Sequence, residues 1–262
     1  MNSILRSEKE SRASLGGKAG ALADLQSARL QVPPWFVVAP EAFPASLTAG
    51  QRGDIASGVP ERIQGVLEQL TVGEQLLQEL AAALAELCPN GELVAVRSSA
   101  LDEDGSEHSF AGQLDSFLFV SPGEVPGKVV DVWRSGFSPR VLAYRRERGL
   151  SPLPAPPAVL IQRVVTADVA GVAFSADPVS GQRGVAVISG VYGLGTALVS
   201  GECDADTWRV DRVGTIIEEL IAHKGIAHRA DPGSQEGVTG VAVAPELAGR
   251  ACLTPGQVRS VA

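Results

Sequence analysis

Along residues 1–88 apolar side chains recur at helical spacing, interrupted by the short run Trp35-Phe36-Val37-Val38. The spacing predicts helices at about 17–29, 60–70 and 73–88 and a strand at about 35–39. A second apolar run, Val94-Ala95-Val96, reads as a buried strand. Two start signals sharpen the helix boundaries. Thr71-Val72-Gly73-Glu74 and Ser121-Pro122-Gly123-Glu124 each set a hydroxyl three residues before a carboxylate, a pattern that satisfies two orphan amides reciprocally. The second launches a helix carrying Val129, Val132 and Trp133, with proline in its first turn. Ser151-Pro-Leu-Pro-Ala-Pro-Pro157 cannot lie inside a helix and reads as a stiff connector, so the expected organisation is a helix-rich lobe over 1–150 and a strand-rich lobe over 151–262. Beyond the connector, strands are expected at about 158–165, 170–175, 185–190, 207–210 and 215–222. Helices followed by strands give an α+β class. A third capping box, Thr254-Pro255-Gly256-Gln257, opens a helix that has barely two turns before Ala262. Isolated helices under roughly 12–15 residues are marginal in water, so the chain reads as truncated at its C-terminus. The alternative is a short terminal helix packed on the core.

Composition narrows the class. With 262 residues and 45% hydrophobic content the chain can bury a substantial core. It has no apolar run of about 18 residues and no basic-then-apolar leader, so a cytoplasmic protein without a membrane span is expected. Cys88, Cys203 and Cys252 are odd in number, widely spaced and without a Cys-x-x-Cys, which argues for reduced, packed thiols. A formal charge of −8 disfavours nucleic acid as a partner, because a phosphate backbone demands a broad basic surface. A single nucleotide needs only a few local cations and a metal ion.

Two segments could supply those cations. The Val94–Val96 strand delivers Arg97, Ser98 and Ser99 into the acidic loop Asp102-Glu103-Asp104. An arginine fork at a strand mouth grips phosphate oxygens two at a time. The competing reading pairs Arg97 with those carboxylates. In Leu15-Gly16-Gly17-Lys18-Ala19, glycines permit close backbone approach, and helix-start amides plus an ammonium make an anion site. Lys18 is one of four lysines against eighteen arginines. The spacing is not that of a Walker loop. His108, His223 and His228 are too scattered for a ligand set, with His223 and His228 read as surface residues, and no Gly-x-Ser-x-Gly elbow occurs.

Taken in order, these segments and others resemble the nucleotide-binding N-terminal part of the pyruvate phosphate dikinase and phosphoenolpyruvate synthase family. The residues that carry the likeness are Gly16 to Leu22, Pro33-Pro34-Trp35-Phe36, Val96-Arg97-Ser98-Ser99-Ala100, Ser109-Phe110-Ala111-Gly112-Gln113, Ile161-Gln162-Arg163-Val164-Val165, Gly171 to Pro178, and Tyr192-Gly193-Leu194-Gly195. The resemblance implies an ATP-grasp-like fold in which two lobes close on ATP. It implies Lys18 and Arg97 as phosphate-contacting catalytic cations, Gly112 and Ser116 as part of the loop over the phosphates, and Gln162 beside the adenine, the alternative for Gln162 being a strand-edge glutamine facing solvent. It further implies Mg2+, with its main ligands beyond residue 262, and a phosphoryl acceptor on a carrier-histidine domain outside this sequence. Departures are Thr196 for the family's glutamate in Gly-Leu-Gly-Glu, Ala205 for proline before Asp206, and Ala19 for glycine after the lysine. They support an alternative, a degenerate stand-alone nucleotide-binding or regulatory module without turnover.

Overall fold

A computed structural model describes residues 3–6, 10–100, 115–147, 149, 153–231, 233–234 and 237–262, leaving aside the side chains of 12, 13 and 144. Helix and sheet are mixed throughout, and the chain divides into two compact units, Met1–Val164 and Val165–Ala262.

The first unit is built on a five-stranded antiparallel sheet ordered β1-β2-β5-β3-β4, with β1 at Ile4–Leu5, β2 at Trp35–Val38, β3 at Val94–Ser99, β4 at Ser116–Val120 and β5 at Ala158–Arg163. Alternation sends Phe36, Val38, Val94, Val96, Val159 and Ile161 to one face. Helices α2 (Ala42–Ala45), α3 (Ala49–Ala56), α4 (Pro60–Glu68), α5 (Glu74–Leu87) and α6 (Val125–Ser135) cover that face, and α7 (Pro139–Glu147) follows them in the chain. Phe43 meets Trp133 edge-on at 5.6 Å and stacks on Phe137 at 5.4 Å, joining α2 to α6 at the centre of this core. The other face carries Trp35, Val37, Ala158 and Leu160 and is covered by α1 (Arg12–Ser27) through Leu15, Ala19 and Ala23.

The second unit has a four-stranded antiparallel sheet ordered β6-β7-β8-β9, formed by Val169–Ala176, Arg183–Tyr192, Asp206–Asp211 and Ile216–Leu220. Helix α8 (Thr196–Ser200) follows β7, and a ribbon of β10 (Ile226–Ala230) and β11 (Val238–Ala242) follows the sheet. Helices α9 (Pro245–Ala248) and α10 (Pro255–Val261) complete the unit, with Val258 of α10 seated on Ile188, Trp208 and Val210. A fully buried ion pair ties the unit together. Asp206 and Lys224 are both 0% exposed and 2.5 Å apart. Asp206 also accepts from the backbone amides of Ala222 and Cys252, and Lys224 donates to the Ala222 carbonyl. Burial, seconded by Asp206, pushes the Cys252 thiol up to about 12, so it is inert as a nucleophile.

Several local expectations change. The division falls after Val164 and not at 150, because β5, which follows the proline-rich connector, is hydrogen-bonded between β2 and β3 in the first sheet. The first unit is helix-rich, as expected, but its helices are organised around a five-stranded sheet that includes β5. The Ser121 and Thr254 capping boxes form, but Thr71 caps nothing: α5 starts at Glu74 with Gly73 as its N-cap, and the Gly73 amide donates to the Ser46 hydroxyl. A capping box that the reading missed forms between Thr48 and Gln51. The strands β1, β4, β10 and β11 were also unforeseen; two are very short or bulged, and β4 shifts register with Phe119 at φ +56°.

Removing one partner of the buried pair leaves the other as an uncompensated charge. Asp206→Asn is expected to destabilise the second unit by about 3–5 kcal/mol in urea unfolding. A loss below about 1 kcal/mol, the range of exposed pairs, would mean that Lys224 reaches water.

Candidate functional site

The candidate site grows from a conflict in α1. The helix is broken at Gly16, whose φ of +76° belongs to the left-handed region that favours glycine. A Cβ there would lie 1.6 Å from the Ser99 carbonyl oxygen, so only glycine lets the chain press onto the end of β3. The Ser99 hydroxyl fastens the contact from both sides of the break. It donates to the Leu15 carbonyl at 2.8 Å and accepts from the Ala19 amide at 3.0 Å, while the Gly17 amide donates to the Ala100 carbonyl at 3.2 Å. Lys18 sits inside this clasp, partly buried, with its Nζ shielded from solvent.

Register fixes the remaining members. Arg97 pairs with Leu160 of β5 and with Ser116 of β4, and Leu160 pairs with Val37 of β2, so Arg97 and Ser116 share the face covered by α1. Gln162 lies opposite Trp35 on one side and Ala95 on the other, placing it on the same face, one diagonal step from Arg97. Arg97 and Ser99 are about 7 Å apart along the strand, and the bonds that link Ser99 to Ala19 then bound the Cα separation of Lys18 and Arg97 to no more than about 15 Å. The structure thus brings Lys18, Arg97, Ser116 and Gln162 to one face of one sheet. Gly112 lies outside the described residues, as do Asp102, Glu103 and Asp104, the alternative partners of Arg97, and His108. A cleft of about 510 Å³ beside α6, lined by Thr71, Lys128, Asp131 and Arg134 among others, contains none of the four residues.

Three readings of this segment are corrected. Ser98 and Ser99 are fully buried and not presented at a loop: Ser99 clamps α1, and Ser98 follows Val94 and Val96 toward the other face. Of the helix-start amides, that of Gly17 is taken by the Ala100 carbonyl and that of Ala19 by the Ser99 hydroxyl, so neither is open to bond an anion directly. Gln162 occupies a central strand, which removes its reading as a solvent-facing strand-edge residue. Trp35, expected only as a strand residue, adjoins Gln162 and is buried with its indole N–H unpartnered among the described residues.

In the second unit the motif residues are held by polar pins. The Asp177 carboxylate accepts from the Val179 amide, the Ser180 hydroxyl and Arg209 Nη2 at 2.9, 2.6 and 2.9 Å, and these bonds, Ser180 foremost, hold its carboxyl well below the usual range. His228 is 7% exposed and not a surface residue: Gly193, at φ +75°, packs against its carbonyl oxygen, and its ring lies between Thr196 and Glu202. Among the described residues no group of three or more His, Cys, Asp or Glu could hold a metal ion, and no helix is long and apolar enough to cross a membrane.

Residues 12–262 match the profile of the family described as pyruvate phosphate dikinase, AMP/ATP-binding domain. Among individual relatives, the chain is 36% identical over 252 residues to the prodigiosin synthesizing transferase PigC of Serratia marcescens, covering 95% of this chain and 28% of that protein. It is 31% identical over 275 residues to a probable phosphoenolpyruvate synthase of Methanothermobacter thermautotrophicus, covering 94% and 39%. It is 34% identical over 230 residues to a rifampicin phosphotransferase of Streptomyces sviceus, covering 80% and 26%. The chain therefore spans well under half the length of these curated relatives.

Two outcomes follow from the clasp and the pins. Gly16→Ala is expected to lower the denaturant midpoint, the backbone strain alone being of order 1–3 kcal/mol, and Ser99→Ala to cost about 1–3 kcal/mol by unpairing a buried carbonyl and amide. An unchanged midpoint for Gly16→Ala would show that the loop is not seated on β3. Because the folded-state carboxyl of Asp177 titrates below its unfolded value near 3.9, its stabilisation is complete above that pH and is lost as pH falls through the folded value. The stability gap between the parent and Asp177→Asn should therefore be flat from pH 7 to about 5 and close below about 4. A gap that instead closed on the alkaline side would refute the assignment.

Proposed function

The chain belongs to the pyruvate phosphate dikinase AMP/ATP-binding family, and from that premise we propose that it is the ATP-binding, ATP-grasp-like portion of a phosphotransferase of the phosphoenolpyruvate synthase type. The observation that carries this reading is the convergence of Lys18 and Arg97, 79 positions apart in sequence, on one sheet face through the Ser99 clasp. Two fixed cations suit the phosphates of a nucleotide, whose charge they balance as the chain is cleaved. Arg97 grips phosphate oxygens in pairs, and Lys18 adds a point charge from the opposite, helical side. Ser116, level with Arg97 on β4, follows closely in sequence on Gly112, and the family resemblance assigns both to the phosphates. Gln162, with both a donor and an acceptor, reads the edge of the base.

ATP would supply the phosphoryl group, and bound Mg2+ would offset the charge on its phosphates. Catalysis of this kind rests on positioning and electrostatic stabilisation more than on a protein nucleophile. The phosphoryl group then passes to a histidine on another domain or chain, and the final acceptor differs among relatives whose names range from phosphoenolpyruvate synthase to rifampicin phosphotransferase. One observation favours a second reading, a nucleotide-binding module without turnover: Thr196 replaces the carboxylate of the family's Gly-Leu-Gly-Glu.

Titration with a non-hydrolysable ATP analogue tests the site. Arg97→Ala and Lys18→Ala should each weaken binding at least about tenfold, since each removes charge-assisted bonds of about 1.5–3 kcal/mol. Parent-like affinity in both variants would overturn the assignment.

A further inference from the structure

One residue that departs from the family pattern, Thr196, is the start of a second polar constellation far from Lys18 in sequence. Helix α8 makes a single turn from Thr196 to Ser200, and Gly201 at φ +76° reverses the chain so that Glu202 returns toward the helix start. Between the two ends lies the ring of His228. Thr196 Oγ1 is 2.9 Å from His228 Nδ1, and Glu202 Oε2 is 3.3 Å from His228 Nε2. The backbone of His228 is fixed: its carbonyl accepts from the Leu194 amide at 2.9 Å, and Gly240, its register partner on β11, makes room for the ring at Cδ2.

An ionised carboxylate only accepts, so in the neutral ring the tautomer with its proton on Nε2 donates to Glu202 and leaves Nδ1 to accept from the Thr196 hydroxyl. The Glu202 carboxyl is held below the usual range, by the Ser200 hydroxyl first and by His228 after burial has acted against it, which keeps it an acceptor. A hydroxyl donating to an imidazole whose far nitrogen is bound to a carboxylate has the bond order of an activated nucleophile. Thr196 itself is only partly buried, whereas the histidine behind it is almost wholly so.

We propose that Thr196 is a phosphoryl-accepting nucleophile of this chain, with His228 as its general base and Glu202 as the group that orients the base. In the step, Thr196 Oγ1 bonds to the terminal phosphorus of a nucleoside triphosphate as the bond from that phosphorus to the bridging oxygen breaks. The nucleoside diphosphate leaves with the electron pair, and the hydroxyl proton passes to His228 Nδ1, whose positive charge Glu202 balances. The donor's identity rests on the nucleotide-binding reading above; the activation of the hydroxyl does not.

The test incubates the 262-residue chain with Mg·ATP and, separately, with Mg·acetyl phosphate, which needs no nucleotide site, and follows intact mass and peptide maps. Gain of one phosphoryl group on Thr196 is expected in the parent and none in Thr196→Val, whose shape is nearly the same. His228→Asn should slow labelling by about 10²-fold or more, the usual contribution of a general base. Labelling of Thr196 by acetyl phosphate in a chain that fails to bind ATP analogues would uphold this proposal and refute the nucleotide reading. Absence of Thr196 phosphorylation from both donors, in a folded chain that binds the analogue in an Arg97-dependent way, would overturn the proposal alone. Equal labelling of Thr196→Val would overturn it as well.

Discussion

The Ser99 hydroxyl, donating to Leu15 and accepting from Ala19, is the contact on which the candidate site depends. It joins a helix near the start of the chain to a strand eighty residues later, and it does so in a buried position where leaving either group unpaired would be costly. The clasp works only because Gly16 has no side chain and adopts a positive φ. Backbone conformation, packing and charge placement are here a single constraint. Loosen the glycine and Lys18 no longer has a fixed relation to Arg97.

The second unit uses charge differently. Asp206 and Lys224 neutralise one another in the interior, and Asp177 anchors a turn and pairs with Arg209. These carboxylates belong to the motifs by which the chain resembles its family, yet each is committed to the fold. The Thr196–His228–Glu202 chain combines a buried base with a partly exposed hydroxyl. Its carboxylate arrives through a one-turn helix and a left-handed glycine, so local backbone geometry sets its chemistry.

Much of this was legible in the sequence where a period or a short-range device encodes it. Helices α4 and α5, strand β2, the strands β5 to β9 and two capping boxes follow from apolar spacing and hydroxyl-carboxylate pairs. The Val94–Val96 run was legible as a strand, but the strand continues through Ser99, so Arg97 stands within the sheet and not in the loop beyond it. What could not be read depends on partners distant in the chain. Ser99 looks like a loop hydroxyl until Leu15 and Ala19 are beside it, and Thr71 looks like a cap until Ser46 takes the amide of Gly73. The unit boundary eluded the proline signal because pairing of β5 with β2 and β3 outweighs a break in local propensity. His228 has no local signature at all; its burial comes from contacts with Gly193 and Gly240.

The break in α1 also has an electrical side. Had the helix run unbroken from Arg12, its positive pole would lie a turn earlier, away from β3. Restarting at Gly17 gives residues 17–27 a macrodipole of their own, with roughly half an elementary charge at its head. That head is directed at the end of β3, where Arg97 stands. The aligned peptides behind Gly17 and Ala19 keep contributing to the local potential although those two amides are bonded. The glycine break therefore acts as a field element, adding a positive contribution that no side-chain substitution short of refilling position 16 could remove.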